Sequence, residues 1–390
     1  MIGLVERIRK SSMRILLVRV SALGDAIHTL PALDLLKKQL PHANIDWLVQ
    51  QKNFGIVSHI PGINQVYTLH DHYLRPAQLR KTFALLKILR NNRYDLVIDF
   101  QGLCKTSFLC AALDLPSIGF SWHTAREGLS STVHLHTVVV PKTISIIEKN
   151  KALALAAVGV VRRIDRRSEL CHPGSESGVT KDNFPPGVIP TPLDSAPQPS
   201  TTAQQNVTSW LNKHHARRLV ILTPNTTWDS KHWPIERWEE LALKLLPLPH
   251  HTVMCVGQKF GKQGASLATF IEQHNLPIVI APAWSLDELF AVMHKTDVIV
   301  APDTGLLHIA DSIGVHTIGL YGPTLAQRHG PQITSRNKEL CFQVSCSHEY
   351  QKTHGASDCM NQLSAQAVIE RINTVVSEKN RLLFSHQQVQ

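Results

Sequence analysis

Three clusters of residues in this chain have the types and spacing to do chemistry, and each follows an apolar run. In VSALGDAIHTLP, residues 20–31, Gly24 and Asp25 come just after RILLVR, and His28 stands one helical turn later. A carboxylate at a strand-to-helix turn can cap the helix by accepting from its free amides. It can equally act as a base towards a hydroxyl bound at the strand end. In TPNTTWDSKHWP, residues 223–234, the Thr226 and Thr227 hydroxyls and the Lys231 ammonium suit a diphosphate, with Lys231 as a point charge. The plainer reading is a polar loop capped by Asp229 or Ser230 before a helix opened by Pro234. In APDTGLLHIADSIG, residues 301–314, Asp303 and Thr304 precede Gly305 and a helix with His308 one turn inside. Gly305 lets a ligand approach closely, and the helix N-terminus offers amides and a positive dipole to an anion. Here too Asp303 could be only a cap and His308 only a satisfied partner. The segment LYGPT, residues 320–324, ends the next strand and would line the same site.

Several alternatives are excluded by pattern. The chain has no GxxxxGK[ST] loop and no strand-linked GxGxxG, which demotes P-loop and dinucleotide readings. It has no convincing DxD pair to carry a divalent cation under a sugar nucleotide, so no metal or other cofactor is expected. A nucleotide sugar would then be neutralised by lysine, hydroxyls and helix amides. Of the seven cysteines, Cys104, Cys110 and Cys255 lie in apolar segments and read as small core residues. Cys341, Cys346 and Cys359, with His348 and His354 between them, lack the paired spacing of a zinc site.

Positioning such clusters takes alternating strands and helices. RILLVRV, ANIDWLV and YDLVIDF read as buried strands. Between them lie the helical patterns DAIHTLPALDLLKKQL and AQLRKTFALLKILRNN. Apolar strands alternating with helices imply a parallel sheet covered on both faces. Residues 165–208 are rich in Pro, Ser, Gly and Thr and read as a linker or long loop. Alternation then restarts with RLVILTP, HTVMCVG, PIVIAPA, DVIVAPD and HTIGLYGPT as strands. The expected organisation is one α/β domain over 13–164, the linker over 165–208 and a second α/β domain over 209–360. A final helix over 361–390 would pack back on the first domain. The class is α/β: two doubly wound, Rossmann-like parallel-sheet domains facing a central cleft, an architecture that fits GT-B glycosyltransferases and whose outline periplasmic binders and some kinases share. Ligands of such sheets bind at the carboxyl ends of the strands.

The bulk numbers agree. The 390 residues suffice for two domains, and 43% hydrophobic with 18% charged residues is a soluble globular composition. No apolar run approaches the roughly 20 residues that span a bilayer. The N-terminus MIGLVERIRKSSM lacks the apolar block of a signal peptide, so the cytoplasm is the expected compartment. A net charge of +10 points to an anionic partner. Without an RNA-binding signature, nucleic acid is the weaker option.

Taken together, RILLVRVSALGDAIHTLPAL, DLVIDFQGLCKTS, GFSWHTAREGLSS, NTTWDSKHWP and PDTGLLHIADSIGVHTIGLYGPT resemble glycosyltransferase family nine, and within it the type I lipopolysaccharide heptosyltransferases. The matches run in family order from about residue 13 to 330. The resemblance implies transfer of L-glycero-D-manno-heptose from ADP-heptose to the Kdo of Kdo-lipid A, with inversion, in lipopolysaccharide inner-core synthesis. It implies that the 13–164 domain binds the acceptor and the 209–360 domain the nucleotide sugar, and it places the catalytic base on Asp25. It places donor contacts on Thr226, Thr227, Lys231, Trp284, Asp303, Thr304, Gly305, Leu306 and His308, with Trp284 over the adenine. Candidates to meet the anionic acceptor are Arg126, Arg80, Lys81, Gln101 and Lys105, with Arg75 nearby; for Arg80 and Lys81 a solvated helix face serves equally. Such an acceptor implies peripheral contact with the cytoplasmic face of an anionic inner membrane, and explains the basic excess. The alternatives are a type II-like acceptor, or a non-catalytic nucleotide or glycolipid binder of the same fold.

Overall fold

The computed structural model describes residues 13–141, 143–167, 193–245, 248, 251–256, 261–333, 335–346, 350–351 and 359–387. The chain forms two compact units. The first holds the described residues up to Arg167 together with Leu193–Ala196, and the second runs from Pro197 onward.

The first unit begins with β1, Arg14–Val18, followed by α1, Leu23–Ile27, and α2, Leu30–Gln39. Sequence periodicity suggests one helix across α1 and α2, but Pro31 sits at the start of α2 with Thr29 as its cap. Proline has no amide to continue an incoming helix, and it is tolerated only in a first turn. Next come β2, Asn44–Gln50; β3, Gln65–Leu69; α3, Pro76–Asn91; β4, Leu96–Asp99; and α4, Cys104–Leu113. The unit closes with β5, Ser117–Phe120; β6, His136–Val138; and α5, Ile146–Arg167. The sheet is parallel, in the order β3-β2-β1-β4-β5-β6. β1 and β4 are buried along nearly their whole length, as expected of strands covered on both faces.

The second unit opens with α6, Thr201–Lys213, inside the stretch expected to be a linker. Its periodic signal was present: Ser200 caps Ala203, and Ala203, Val207 and Leu211 are buried at helical spacing. Then follow β7, Leu219–Leu222; α7, Ile235–Lys244; β8, Thr252–Cys255; α8, Lys262–Gln273; and β9, Val279–Ile280. After them come α9, Leu286–Met293; β10, Thr296–Pro302; α10, Gly305–Ile313; β11, His316–Tyr321; β12, Phe342–Gln343; and α11, Ala365–Gln387. This sheet is also parallel, in the order β12-β11-β10-β7-β8-β9. The domain boundary therefore falls near residue 197 rather than at 209. Most of the expected linker, 168–192, lies outside the described residues. The last helix also departs from expectation. Ala365, Val368, Ile372 and Val375 are buried in the second unit's own core with Trp233, Trp238 and the strands β7 and β10. The Trp233 indole fixes its start by donating to the Leu363 carbonyl at 3.0 Å.

Candidate active site

A doubly wound sheet opens a crevice where the strand order reverses, outside the carboxyl ends of the two central strands. In the first unit those strands are β1 and β4, which pair from Ile15 with Leu96 to Val18 with Asp99. Asp25 lies in the first turn of α1, but it is not the cap. Ala22 occupies that position, and its amide donates to Asp25 Oδ2 at 3.2 Å. The other oxygen, Oδ1, is 3.2 Å from Arg19 Nη2. Arg19 is only 5% exposed and also donates to the Phe100 carbonyl just past β4. A buried guanidinium needs such partners, because an unpaired charge in the interior is costly. The Asp25 side chain keeps 25% of its surface exposed, so the carboxylate is both held and reachable. His28 is buried, and its carbonyl accepts from Asn150 at 3.0 Å, which ties it to the packing against α5.

Of the acceptor candidates, Gln101 joins this constellation in a role other than the expected one. It is 6% exposed, and its Oε1 accepts from the amides of Val20 at 3.0 Å and Ser21 at 3.1 Å. It therefore stitches the end of β4 to the turn after β1. Lys105 is exposed on the first turn of α4, Arg126 on the loop after β5, and Arg80 and Lys81 on α3. None of these four cations hydrogen-bonds to Asp25 or Gln101 among the described residues. Glu127, which sequence reasoning missed, anchors the Arg126 loop by accepting from the Cys104 amide at 2.7 Å. That bond holds its carboxyl below the usual carboxylate range.

In the second unit the central strands are β7 and β10, paired from Val220 with Val298 to Leu222 with Val300. The loops leaving them meet at Asp303. Lys231 Nζ lies 2.6 Å from Asp303 Oδ2, the Thr324 hydroxyl donates to the same oxygen at 2.9 Å, and His308 Nε2 lies 3.0 Å from Oδ1. The Thr226 hydroxyl donates to the Asp303 carbonyl at 3.2 Å. Burial would raise the Asp303 pKa, but the His308 hydrogen bond and the Lys231 charge outweigh it and hold the carboxyl well below its usual range. Lys231 also sits 4.2 Å above the Trp228 ring, a cation–π contact. Asp303 is thus the hub of the cluster and not the cap of α10. Thr304 is the cap, and its side chain makes no capping hydrogen bond. The first-turn amides at Gly305 and Leu306, both half-buried, are then available to an anion's oxygens. Thr227 is exposed on the same loop as Lys231.

Trp284 stands apart from these groups. It is 6% exposed and packs edge-on against Trp210, with ring centroids 5.2 Å apart, so it anchors the α6–α9 contact and has little face left to cover an adenine. Cys104 is exposed, not core, whereas Cys110 and Cys255 are buried as expected. Burial pushes the Cys341 and Cys359 thiols up to about 12. His348 and His354 lie outside the described residues.

The profile of Glycosyltransferase family 9 (heptosyltransferase) matches residues 82–359. The chain is 29% identical to lipopolysaccharide heptosyltransferase 1 of Pseudomonas aeruginosa, over 80% of this chain and 79% of that protein. It is 26% identical to the Escherichia coli protein of the same name, over 93% and 100%. Among solved structures it resembles E. coli heptosyltransferase WaaC with ADP, with a TM-score of 0.65 and 24% identity over 93% of this chain and 100% of that one. It also resembles E. coli ADP-heptose lps heptosyltransferase II, with a TM-score of 0.70 and 18% identity over 94% and 100%. At these identities the two structures establish the two-domain GT-B fold. The profile match, spanning well over half of the sequence, establishes more: this chain belongs to glycosyltransferase family 9, the heptosyltransferases.

Proposed function

We propose that the chain is an inverting transferase that moves L-glycero-D-manno-heptose from ADP-heptose onto the Kdo of Kdo-lipid A, building the lipopolysaccharide inner core. The acceptor hydroxyl attacks the anomeric carbon, the bond from that carbon to the diphosphate oxygen breaks, and ADP leaves. The hydroxyl proton passes to Asp25. Help of this kind is worth about 10²–10⁴ in rate. Lys231, His308 and the amides of Gly305 and Leu306 receive the charge that builds on the departing diphosphate. The Asp25 carboxylate, partly exposed at the β1–β4 switch point and held there by a buried guanidinium, is the observation that carries this reading. The names of the curated relatives support heptose transfer in lipopolysaccharide synthesis, and the ADP bound to E. coli WaaC supports the nucleotide.

The protein is proposed to work on the cytoplasmic face of the inner membrane as a peripheral protein. No helix among the described residues is long and apolar enough to cross a membrane. The net charge of +10 suits an anionic surface.

Mass-detected heptose transfer with purified protein, ADP-heptose and Kdo-lipid A tests the reading, with EDTA present because the reaction is expected to need no metal. Transfer is expected to persist in EDTA. Asp25→Asn is expected to cut turnover about 10²–10⁴-fold while ADP affinity is kept. Transfer only to an already heptosylated acceptor would overturn the type I acceptor in favour of a type II one. A full-rate Asp25→Asn enzyme would leave Asp25 with a structural role alone.

A further inference from the structure

The charged residues of α3 are Arg80, Lys81, Lys87 and Arg90; it carries no acid. Thr82, Leu86 and Leu89 are its buried residues, and the two leucines join the core of the first sheet. At 3.6 residues per turn, Arg80, Phe83 and Lys87 fall on one ridge of the opposite face, beside a second ridge of Lys81, Ala84 and Ile88. All six are exposed, and Phe83 and Ile88 keep 53% and 52% of their surface open. Arg90, at the edge of this face, is occupied by Asp114 at 2.7 Å.

A face kept only for solubility carries charges of both signs, with its large apolar side chains turned inward. Large apolar side chains set among lysine and arginine, with nothing negative between them, describe a helix that lies in the plane of a membrane interface. We propose that this face of α3 docks on an anionic phospholipid bilayer. Phe83 and Ile88 enter the boundary between headgroups and acyl chains, while Arg80, Lys81 and Lys87 meet lipid phosphates. The inference rests on the proposed lipid-anchored acceptor for its purpose, since docking would hold the enzyme where that acceptor lies. The binding itself needs no acceptor.

Co-sedimentation of the full chain with vesicles of phosphatidylglycerol and phosphatidylethanolamine in equal parts, free of lipid A, tests it. Neutral phosphatidylcholine vesicles serve as the second arm. The parent protein is expected to pellet with the anionic vesicles and not with the neutral ones. Phe83→Gln combined with Ile88→Gln is expected to weaken that binding about thirtyfold. Turnover on a water-soluble, deacylated acceptor should not change. Lys87→Glu is expected to weaken binding about tenfold and decides the matter if the double variant fails to fold. The proposal is overturned if the parent ignores anionic vesicles, if the folded variants bind as the parent does, or if α3 instead mediates self-association abolished by the same changes. A protein that binds vesicles through α3 yet transfers no heptose would refute the reaction and leave the docking surface standing.

Discussion

Asp303 gathers an ammonium, an imidazole and a hydroxyl into one cluster, and its ionisation is what makes that gathering favourable. Its carboxyl would ordinarily titrate near 3.8. Burial opposes the charge, but the His308 hydrogen bond and the Lys231 pair outweigh it, so the folded state binds the proton far less readily than the unfolded chain. A carboxylate depressed in this way contributes its full stability above about pH 4, and loses it as the pH falls through the lower folded value. Asp303→Asn, which leaves Lys231 without its counter-charge, should lower stability at pH 7 by about 3 kcal/mol. The gap from the parent should close as the pH falls below about 4. Urea midpoints across that range check it, and a gap of constant size would mean that shape rather than charge holds the cluster. Sequence alone placed Asp303 at the right helix but made it a candidate cap. The competing attraction comes from Lys231, 72 residues away, and only the pairing of β7 with β10 brings the two together.

The elements that place Asp25 were partly legible. Long apolar runs gave β1, β2, β4, β7, β8 and β10, because a strand buried on both faces needs little polar alternation. Short or half-polar strands such as β3, with burial on few positions, and β6 at the sheet edge carry too weak a pattern to be read. Arg19 was legible only as an oddity, a cation ending an apolar strand. Its meaning needed the Phe100 carbonyl and Asp25 beside it. The same holds for Gln101, a candidate for the acceptor side because it stands at a strand end. Its side chain satisfies two backbone amides of the turn that leads into α1, and a buried amide left without an acceptor costs about 1–3 kcal/mol. Gln101→Leu should therefore shift the turn and with it Asp25. The expected result is a drop in kcat of about 10–100-fold with the acceptor KM unchanged. Steady-state kinetics with varied acceptor separates the two roles, since a raised acceptor KM at intact kcat would return Gln101 to the acceptor surface.

At the scale of the whole molecule, each unit carries its candidate groups at the reversal of strand order, Asp25 beside β1 and β4 and Asp303 beside β7 and β10. The restart of alternation near residue 218 made this duplication readable. Composition misplaced the join, because α6 starts within a Pro- and Ser-rich stretch whose helical spacing it masks. The excess of positive charge is a property of the chain as a whole, and its consequence is electrostatic: attraction to an anionic surface acts over about 8 Å at physiological salt and about 3 Å at 1 M. Heptose transfer to acceptor embedded in anionic vesicles should therefore weaken as salt rises from 0.1 to 0.5 M, with the apparent KM climbing about tenfold. Transfer to a deacylated acceptor in solution presents fewer phosphates at once and should lose much less, and the melting temperature should hold across the same range. If both acceptors respond equally, the salt acts at the catalytic cluster. A vesicle reaction indifferent to salt would mean that the charge excess plays no part in reaching the lipid.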